Sequence, residues 1–205
     1  MRMESNKDFL EFHGLPKEII LSIIDRAQSL ATAWDDRAMP QSLSGKRVAL
    51  IADDSGWRNT TAFDLGIQVV GVAPDANIFR SWVEAAISMP IQVRQVYPEN
   101  WHVKDVSLLG PNFAASTDLA ELWDADVIVT DSWPSDAIEE EMLEYQISTS
   151  ILEKCRPDAI FLPCPPVSRE KEVTADAMHH PTCQSTAAKA YLLHAQNALL
   201  EWIAT

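Results

Sequence analysis

Apolar positions recur at helical spacing early in the chain. After Pro16-Lys17-Glu18, the residues Ile19, Ile20, Ile23, Ile24, Ala27 and Leu30 share one face, which predicts a helix within residues 8–38. A polar break follows at Met39-Pro40 and Ser42-Leu43-Ser44-Gly45. Lys46-Arg47 then leads into Val48-Ala49-Leu50-Ile51, a short unbroken apolar run of the kind found in strands buried on both faces. Runs of the same kind at Ile67–Val72, Ile91–Tyr97, Val127–Thr130 and Ala159–Leu162 predict four more strands. Helices are predicted between them at Phe79–Ser88 and around Glu139–Tyr145. A last helix is predicted at Thr186–Ile203, with Leu192, Leu193, Leu199 and Leu200 placed for burial.

Strands alternating with helices of this length imply an α/β fold, a Rossmann-like three-layer sandwich around a mostly parallel sheet. The N- and C-terminal helices are expected to pack together. In such sheets ligands bind beyond the carboxyl ends of the strands. Those ends are Ala52–Arg58, Ala73–Asn77, Asp131–Asp136 and Pro163–Arg169, all rich in polar residues, proline or both.

Composition narrows the class of function more than the fold. A chain of 205 residues, 47% hydrophobic and 22% charged, has enough apolar side chains for one good core. No apolar run reaches the roughly 18–20 residues of a membrane span, and the charged N-terminus lacks the apolar core of a secretory signal. Three scattered cysteines, Cys155, Cys164 and Cys183, without CxxC spacing, favour reduced thiols and a cytoplasmic setting. A net charge of −14 argues against nucleic acid and anionic membranes as partners. Adjacent histidines point apart, so His179-His180 beside Cys183 reads as a loop. Neither a metal site nor a cofactor is expected.

The segment with the most chemistry is Phe161-Leu162-Pro163-Cys164-Pro165-Pro166-Val167-Ser168-Arg169-Glu170-Lys171-Glu172-Val173-Thr174. A strand that ends in a thiol and prolines presents backbone carbonyls at a sheet edge, where they can accept hydrogen bonds from an amine. The segment resembles the transcarbamylase signature F-x-H-C-L-P-x-x-R-x-x-E-V-T of the aspartate/ornithine carbamoyltransferase family. Cys164, Pro166, Arg169, Glu172, Val173 and Thr174 match it, whereas Pro163 and Pro165 replace its histidine and leucine. Upstream, Ala125 to Ser135 is similar to the family's A-D-V-V-Y-T-D-x-W-x-S. The resemblance gives Asp131 the side-chain amine of the substrate, and a carboxylate at a strand end suits that role through a charge-assisted hydrogen bond. A plain turn-capping role for Asp131 stays open. Ser135 is what survives of the family's S-M-G loop, where Asp136 and Ala137 replace the rest.

Leu193 to Leu200 is similar to the family's closing helix L-H-A-Q-K-A-L-L. Leu192 stands where the family has an arginine for carbamoyl phosphate. Lys189 lies three residues earlier and reads as a solvated surface lysine, and His194 reads as a packing residue. The family's phosphate loop S-T-R-T-R has a counterpart in Ser55-Gly56-Trp57-Arg58-Asn59-Thr60. Ser55, Arg58 and Thr60 supply the hydroxyls and guanidinium that hold phosphate beside a helix N-terminus, with the spacing shifted by one. The family's H-P-x-Q segment has no counterpart. Pro74 to Ser81 instead resembles the opening of the family's second domain, which gives Asn77 the substrate's α-carboxylate.

The resemblance implies a shortened, divergent member of the family. Residues 1–72 would be a remnant of the carbamoyl-phosphate domain, and residues 73–205 the amino-acid-binding type of domain plus the C-terminal helix, in one compact unit. The expected ligands are an amino acid and carbamoyl phosphate. Arg58 and Cys164 would act in catalysis, and Ser55, Thr60, Asn77, Asp131, Ser135 and Arg169 in substrate binding. Two other readings stay open. One is a non-catalytic paralogue acting as a binding or scaffolding partner, in a homo-oligomer or with another enzyme. The other is an enzyme that uses a different donor.

Overall fold

The structure is a computed structural model and describes residues 15–42, 44 and 67–204. The predicted strand Val48–Ile51, the start of the predicted first helix at residues 8–14, and the loop holding Ser55, Arg58 and Thr60 lie outside the described residues. The chain divides into two compact units, Phe63–Thr186 and Met1–Ala62 with Ala187–Thr205.

The larger unit is built on five strands: β1 (Gln68–Val72), β2 (Gln92–Val96), β3 (Phe113–Ser116), β4 (Val127–Thr130) and β5 (Ile160–Pro163). They form one sheet in the order β3-β2-β1-β4-β5, and every pairing is parallel. The fold is therefore α/β with a Rossmann-like parallel sheet, as the strand and helix pattern predicts. The four predicted strands among the described residues are all present, within a residue or two at each end. The pattern missed β3. It carries Phe-Ala-Ala-Ser at the sheet edge with no buried position, so it lacks the apolar run that marks the central strands.

Both faces of the sheet are covered. On one, α2 (Asn77–Ser88) buries Phe79, Trp82, Val83, Ala85 and Ala86. Phe79 closes down on Gly71 of β1, where a side chain would find no room. On the other face, Val70, Val72, Ile128 and Phe161 pack with Met142, Tyr145, Ile147 and Leu152. Met142, Tyr145 and Leu152 come from α3 (Glu139–Met142), the 3-10 turn Leu143–Tyr145 that extends it, and α4 (Thr149–Leu152), and Ile147 from the link between them. The predicted acidic helix around Glu139–Tyr145 is thus one short α-helical turn running into a 3-10 turn.

In the smaller unit, α1 (Lys17–Asp35) begins after Pro16 and buries Ile20, Ala27 and Leu30. The C-terminal helix α5 (Ser185–Ala204) buries Ala188, Leu192, His194 and Ala198. The two helices pack together, as expected, through Ala27, Leu30 and Ala198 with Ile23, Tyr191 and Ala195 around them. Arg26 of α1 adds a two-pronged ion pair with Glu201 of α5, at 2.5 and 3.1 Å. Leu193 corrects the expectation of burial: it is 45% exposed. A helix turns about 100° per residue, and the buried stripe through Ala188, Leu192 and Ala198 leaves the next position outside it. Lys189 is exposed, and His194 is buried with its ring edge-on to Trp34 and Tyr191, as the packing role predicts.

Candidate functional site

The strand order reverses between β1 and β4, and at such a switch point open α/β sheets bind ligands beyond the carboxyl ends of their strands. The register there is tight. Val72 pairs with Thr130, and Thr130 pairs with Pro163, so Ala73, Asp131 and Cys164 leave the sheet side by side. The Cys164 N–H donates to the Thr130 carbonyl at 3.0 Å, which carries the pairing one step past β5. On β2, Gly71 pairs with Gln95, so Tyr97 is the next residue along the same row.

The loop after β1 is fixed from beneath. Gln95 is fully buried, and its Nε2 donates to the carbonyls of Ala73 and Trp101 at 2.8 and 3.1 Å. Its Oε1 accepts the Val103 N–H at 2.8 Å. Asp75 accepts from Arg80 through both oxygens, at 2.5 and 3.0 Å, which ties the loop to the first turn of α2. Asn77 is the first residue of α2 and is exposed. Ala76 precedes it with no side-chain cap, so the free N–H groups of the helix start face outward from this loop.

Asp131 is half-buried at the end of β4, and its Oδ1 accepts the Ser132 N–H at 2.8 Å. Burial raises its pKa, and that N–H pulls the other way. The local turn contact read from the sequence is therefore present, and it engages Oδ1. Ser132 reaches across to the Pro166 carbonyl at 3.4 Å, joining the loops after β4 and β5. Cys164 is buried, with its Sγ 3.6 Å from the Pro165 carbonyl, and the Pro165–Pro166 peptide is cis. Ser135 and Arg169 are both exposed on these two loops.

Two residues of this region were legible in the sequence only as a motif match and a strand end: Glu172 and Tyr97. Residues 168–173 fold back on themselves. The Lys171 N–H donates to the Ser168 carbonyl, the Glu170 N–H donates to the Val173 carbonyl, and Glu170 takes a positive φ of 66°. That turn drives the Glu172 side chain inward to 3% exposure, where Oε1 accepts the Ser168 N–H at 2.5 Å. Burial raises the Glu172 pKa against that N–H, and neighbouring Asp131 raises it further. Tyr97 is completely buried against Tyr145, with ring centroids 5.5 Å apart. Its hydroxyl is held above its usual range by burial first, then by the charges of Asp131 and Glu172. The three groups therefore sense one another.

No group of three or more histidine, cysteine or acidic residues arranged to hold a metal occurs among the described residues. His179 and His180 are engaged locally, the first with the Ala175 carbonyl and the second with Thr182. No helix among the described residues is long and apolar enough to cross a membrane.

The fold is that of an α/β protein with an all-parallel sheet and a topological switch point between β1 and β4. The family model described as aspartate/ornithine carbamoyltransferase, Asp/Orn binding domain, matches residues 64–203, so the chain belongs to that family. The ornithine carbamoyltransferase of Nitratidesulfovibrio vulgaris is 29% identical over 153 residues, covering 68% of this chain and 51% of the relative. The crystal structure of ornithine carbamoyltransferase from Thermus thermophilus aligns with a TM-score of 0.62 at 26% identity, over 68% of this chain and 48% of that one. A mitochondrial ornithine carbamoyltransferase structure from Coccidioides immitis shares the fold, with a TM-score of 0.78 at 14% identity, over 96% of this chain and 97% of that one. The chain spans about half the length of the curated relatives it matches first, 51%, 51% and 50%.

Proposed function

We propose that the chain binds an amino acid bearing a side-chain amine, with the amine at Asp131 and Cys164 and the α-carboxylate at Asn77. The observation that carries this reading is the row Ala73, Asp131, Cys164 at the switch point, with a desolvated carboxylate in its middle. A carboxylate kept out of bulk water gains more from a cationic partner than a solvated one. The uncapped start of α2 suits the opposite end of the ligand, because free N–H groups and the helix dipole favour an anion there. Ser135 and Arg169, exposed on the flanking loops, are placed as outer contacts of the same ligand. Residues 73–205 supply this half of the reaction, and residues 1–72 are read as the remnant of the donor domain.

For transfer, the amine nitrogen gives its lone pair to the carbonyl carbon of carbamoyl phosphate. The C–O bond to phosphate breaks, phosphate leaves with that electron pair, and the amine loses a proton. Ser55, Arg58 and Thr60 would hold the departing phosphate, and aligning the two partners is the main work of the site. The three cysteines, none of them in a disulfide, fit a cytoplasmic setting. A second reading, a non-catalytic binding or scaffolding paralogue, is favoured by Pro163 and Leu192, which stand where the family motifs have histidine and arginine.

Calorimetric titration separates these readings. Heat with ornithine and with carbamoyl phosphate, the latter lost in Arg58→Ala, supports the transferase. Heat with ornithine alone supports the binding paralogue. Silence with both ligands at millimolar concentration overturns the proposed site.

A further inference from the structure

Buried polar atoms without a hydrogen-bond partner are uncommon in folded proteins, and each one asks for an explanation. Five such side-chain atoms occur among the described residues: Tyr97 Oη, Thr130 Oγ1, Trp133 Nε1, Glu172 Oε2 and His194 Nδ1. The first four belong to the carboxyl ends of β2, β4 and β5 and the loops that follow them. Leaving such a group unpaired in the interior costs roughly 1–3 kcal/mol each. Four of them stand at the strand ends and loops that surround the switch point.

Their chemistry is mostly of one kind. Glu172 Oε2 accepts, the hydroxyls Thr130 Oγ1 and Tyr97 Oη can accept as well as donate, and Asp131 adds its second carboxylate oxygen. Tyr97 is completely buried and Glu172 is 3% exposed, so neither can turn to water for a partner. Lys171 is the cation nearest in sequence to Glu172, and it is exposed and paired with Glu139 at 3.8 Å. Glu172 and Tyr97 meet one packed cluster: the Ile147 N–H donates to the Glu172 carbonyl at 2.9 Å, and Ile147, Val173 and Tyr145 pack in the same core as Tyr97.

We propose that Tyr97 and Glu172 are the positioning, specificity-determining residues of the amine site: a buried acceptor floor beneath Asp131 that selects a ligand ending in a cationic nitrogen over a neutral ligand of the same shape. This rests on the reading of Asp131 as the amine's partner. Glu172 supplies a second carboxylate whose free oxygen strengthens the negative potential at Asp131. The Tyr97 hydroxyl, unpaired in the ligand-free chain, stands in the same row as Ala73 and Asp131 and adds a polar group to that floor. The substrate class is then a diamino acid or diamine, with the terminal ammonium's three N–H groups facing the Asp131 end of the floor.

The test compares ornithine with norvaline, which has the same carbon chain and no terminal nitrogen, by calorimetry on the full chain. Tyr97→Phe and Glu172→Gln are each expected to weaken ornithine binding about tenfold, or about 1.4 kcal/mol, and to leave norvaline unchanged. Tyr97→Phe should also raise the melting temperature of the ligand-free protein, because it deletes an unpaired buried hydroxyl. A merely structural role would move the melting temperature and shift both ligands alike. Should Glu172→Gln fail to fold, Tyr97→Phe decides alone. Ornithine affinity that stays within about twofold in Tyr97→Phe while Asp131→Asn abolishes binding overturns the floor and leaves the amine site standing. Unchanged ornithine binding in Asp131→Asn, or no ornithine binding by the native chain, overturns both.

Discussion

A side chain on Gly71 would collide with Phe79: a methyl group added there meets the ring carbon Cε2 at 1.9 Å. Phe79 is completely buried and cannot swing into solvent. Gly71→Ala is therefore expected to cost more than the ~1–3 kcal/mol typical of overpacked cores. Phe79→Leu in the same chain should restore part of the loss. Urea denaturation of the single and double variants checks this, and additive losses would show that the two residues do not compete for the same space.

Gln95 predicts a different kind of fragility. Gln95→Leu keeps the bulk but strands the Ala73 carbonyl and the Val103 N–H, while the Trp101 carbonyl keeps the Asp75 N–H. At ~1–3 kcal/mol for each of the two unpaired groups, the expected loss is about 2 kcal/mol or more. The loop after β1 carries Asn77 at its end, so ornithine binding should weaken as well. A variant as stable as the native chain would mean that the amide is not what holds that loop.

The acid–base behaviour of the candidate site has a definite sign. Burial raises the pKa of both Asp131 and Glu172, so the folded chain holds protons that the unfolded chain releases. Stability from these groups therefore falls as pH rises from the ordinary carboxylate range, about pH 4, through their higher folded values. Asp131→Asn should flatten this part of the profile and melt higher than the native chain at neutral pH. A cation favours the ionised carboxylates, so ornithine binding should expel protons at pH values where these groups are still partly protonated. Titrations in buffers of different ionisation enthalpy measure that release, and identical heats in all buffers would contradict it.

Glu201 works in the opposite direction. The Arg26 hydrogen bond holds its pKa below the usual value, so its contribution is present above the unfolded pKa and is lost as pH falls through the folded one. Arg26 is partly exposed, at 39%, so solvent screens the pair and Arg26→Ala should cost no more than about 1 kcal/mol. Leu30, 1% exposed in the same helix pair, should cost ~2–5 kcal/mol on change to alanine. Thermal melts that rank the two variants the other way would show that the ion pair, rather than the apolar seam, joins α1 to α5.

Much of the fold could be read from patterning because the central strands are buried on both faces. Val127–Thr130 has no exposed position, and such a run announces itself. Edge strand β3 has no buried position and left no trace in the apolar pattern. The ends of α2 and α5 were likewise legible from helical spacing, while the outward turn of Leu193 was not, since a run of leucines does not reveal where its buried stripe lies.

For the site, the sequence by itself determined the candidates: Asp131, Cys164 and Asn77 stand at strand and helix ends and match motifs at fixed spacing. Only the tertiary structure decided that Ala73, Asp131 and Cys164 leave the sheet in register. It also decided that Glu172 folds inward and that the Tyr97 hydroxyl is buried without a partner. Sequence fixes which groups a segment carries, because periodicity and turn chemistry are local. Burial and pairing arise between segments distant in the chain, so the floor beneath Asp131 exists only once β2, β4 and the turn after β5 have come together.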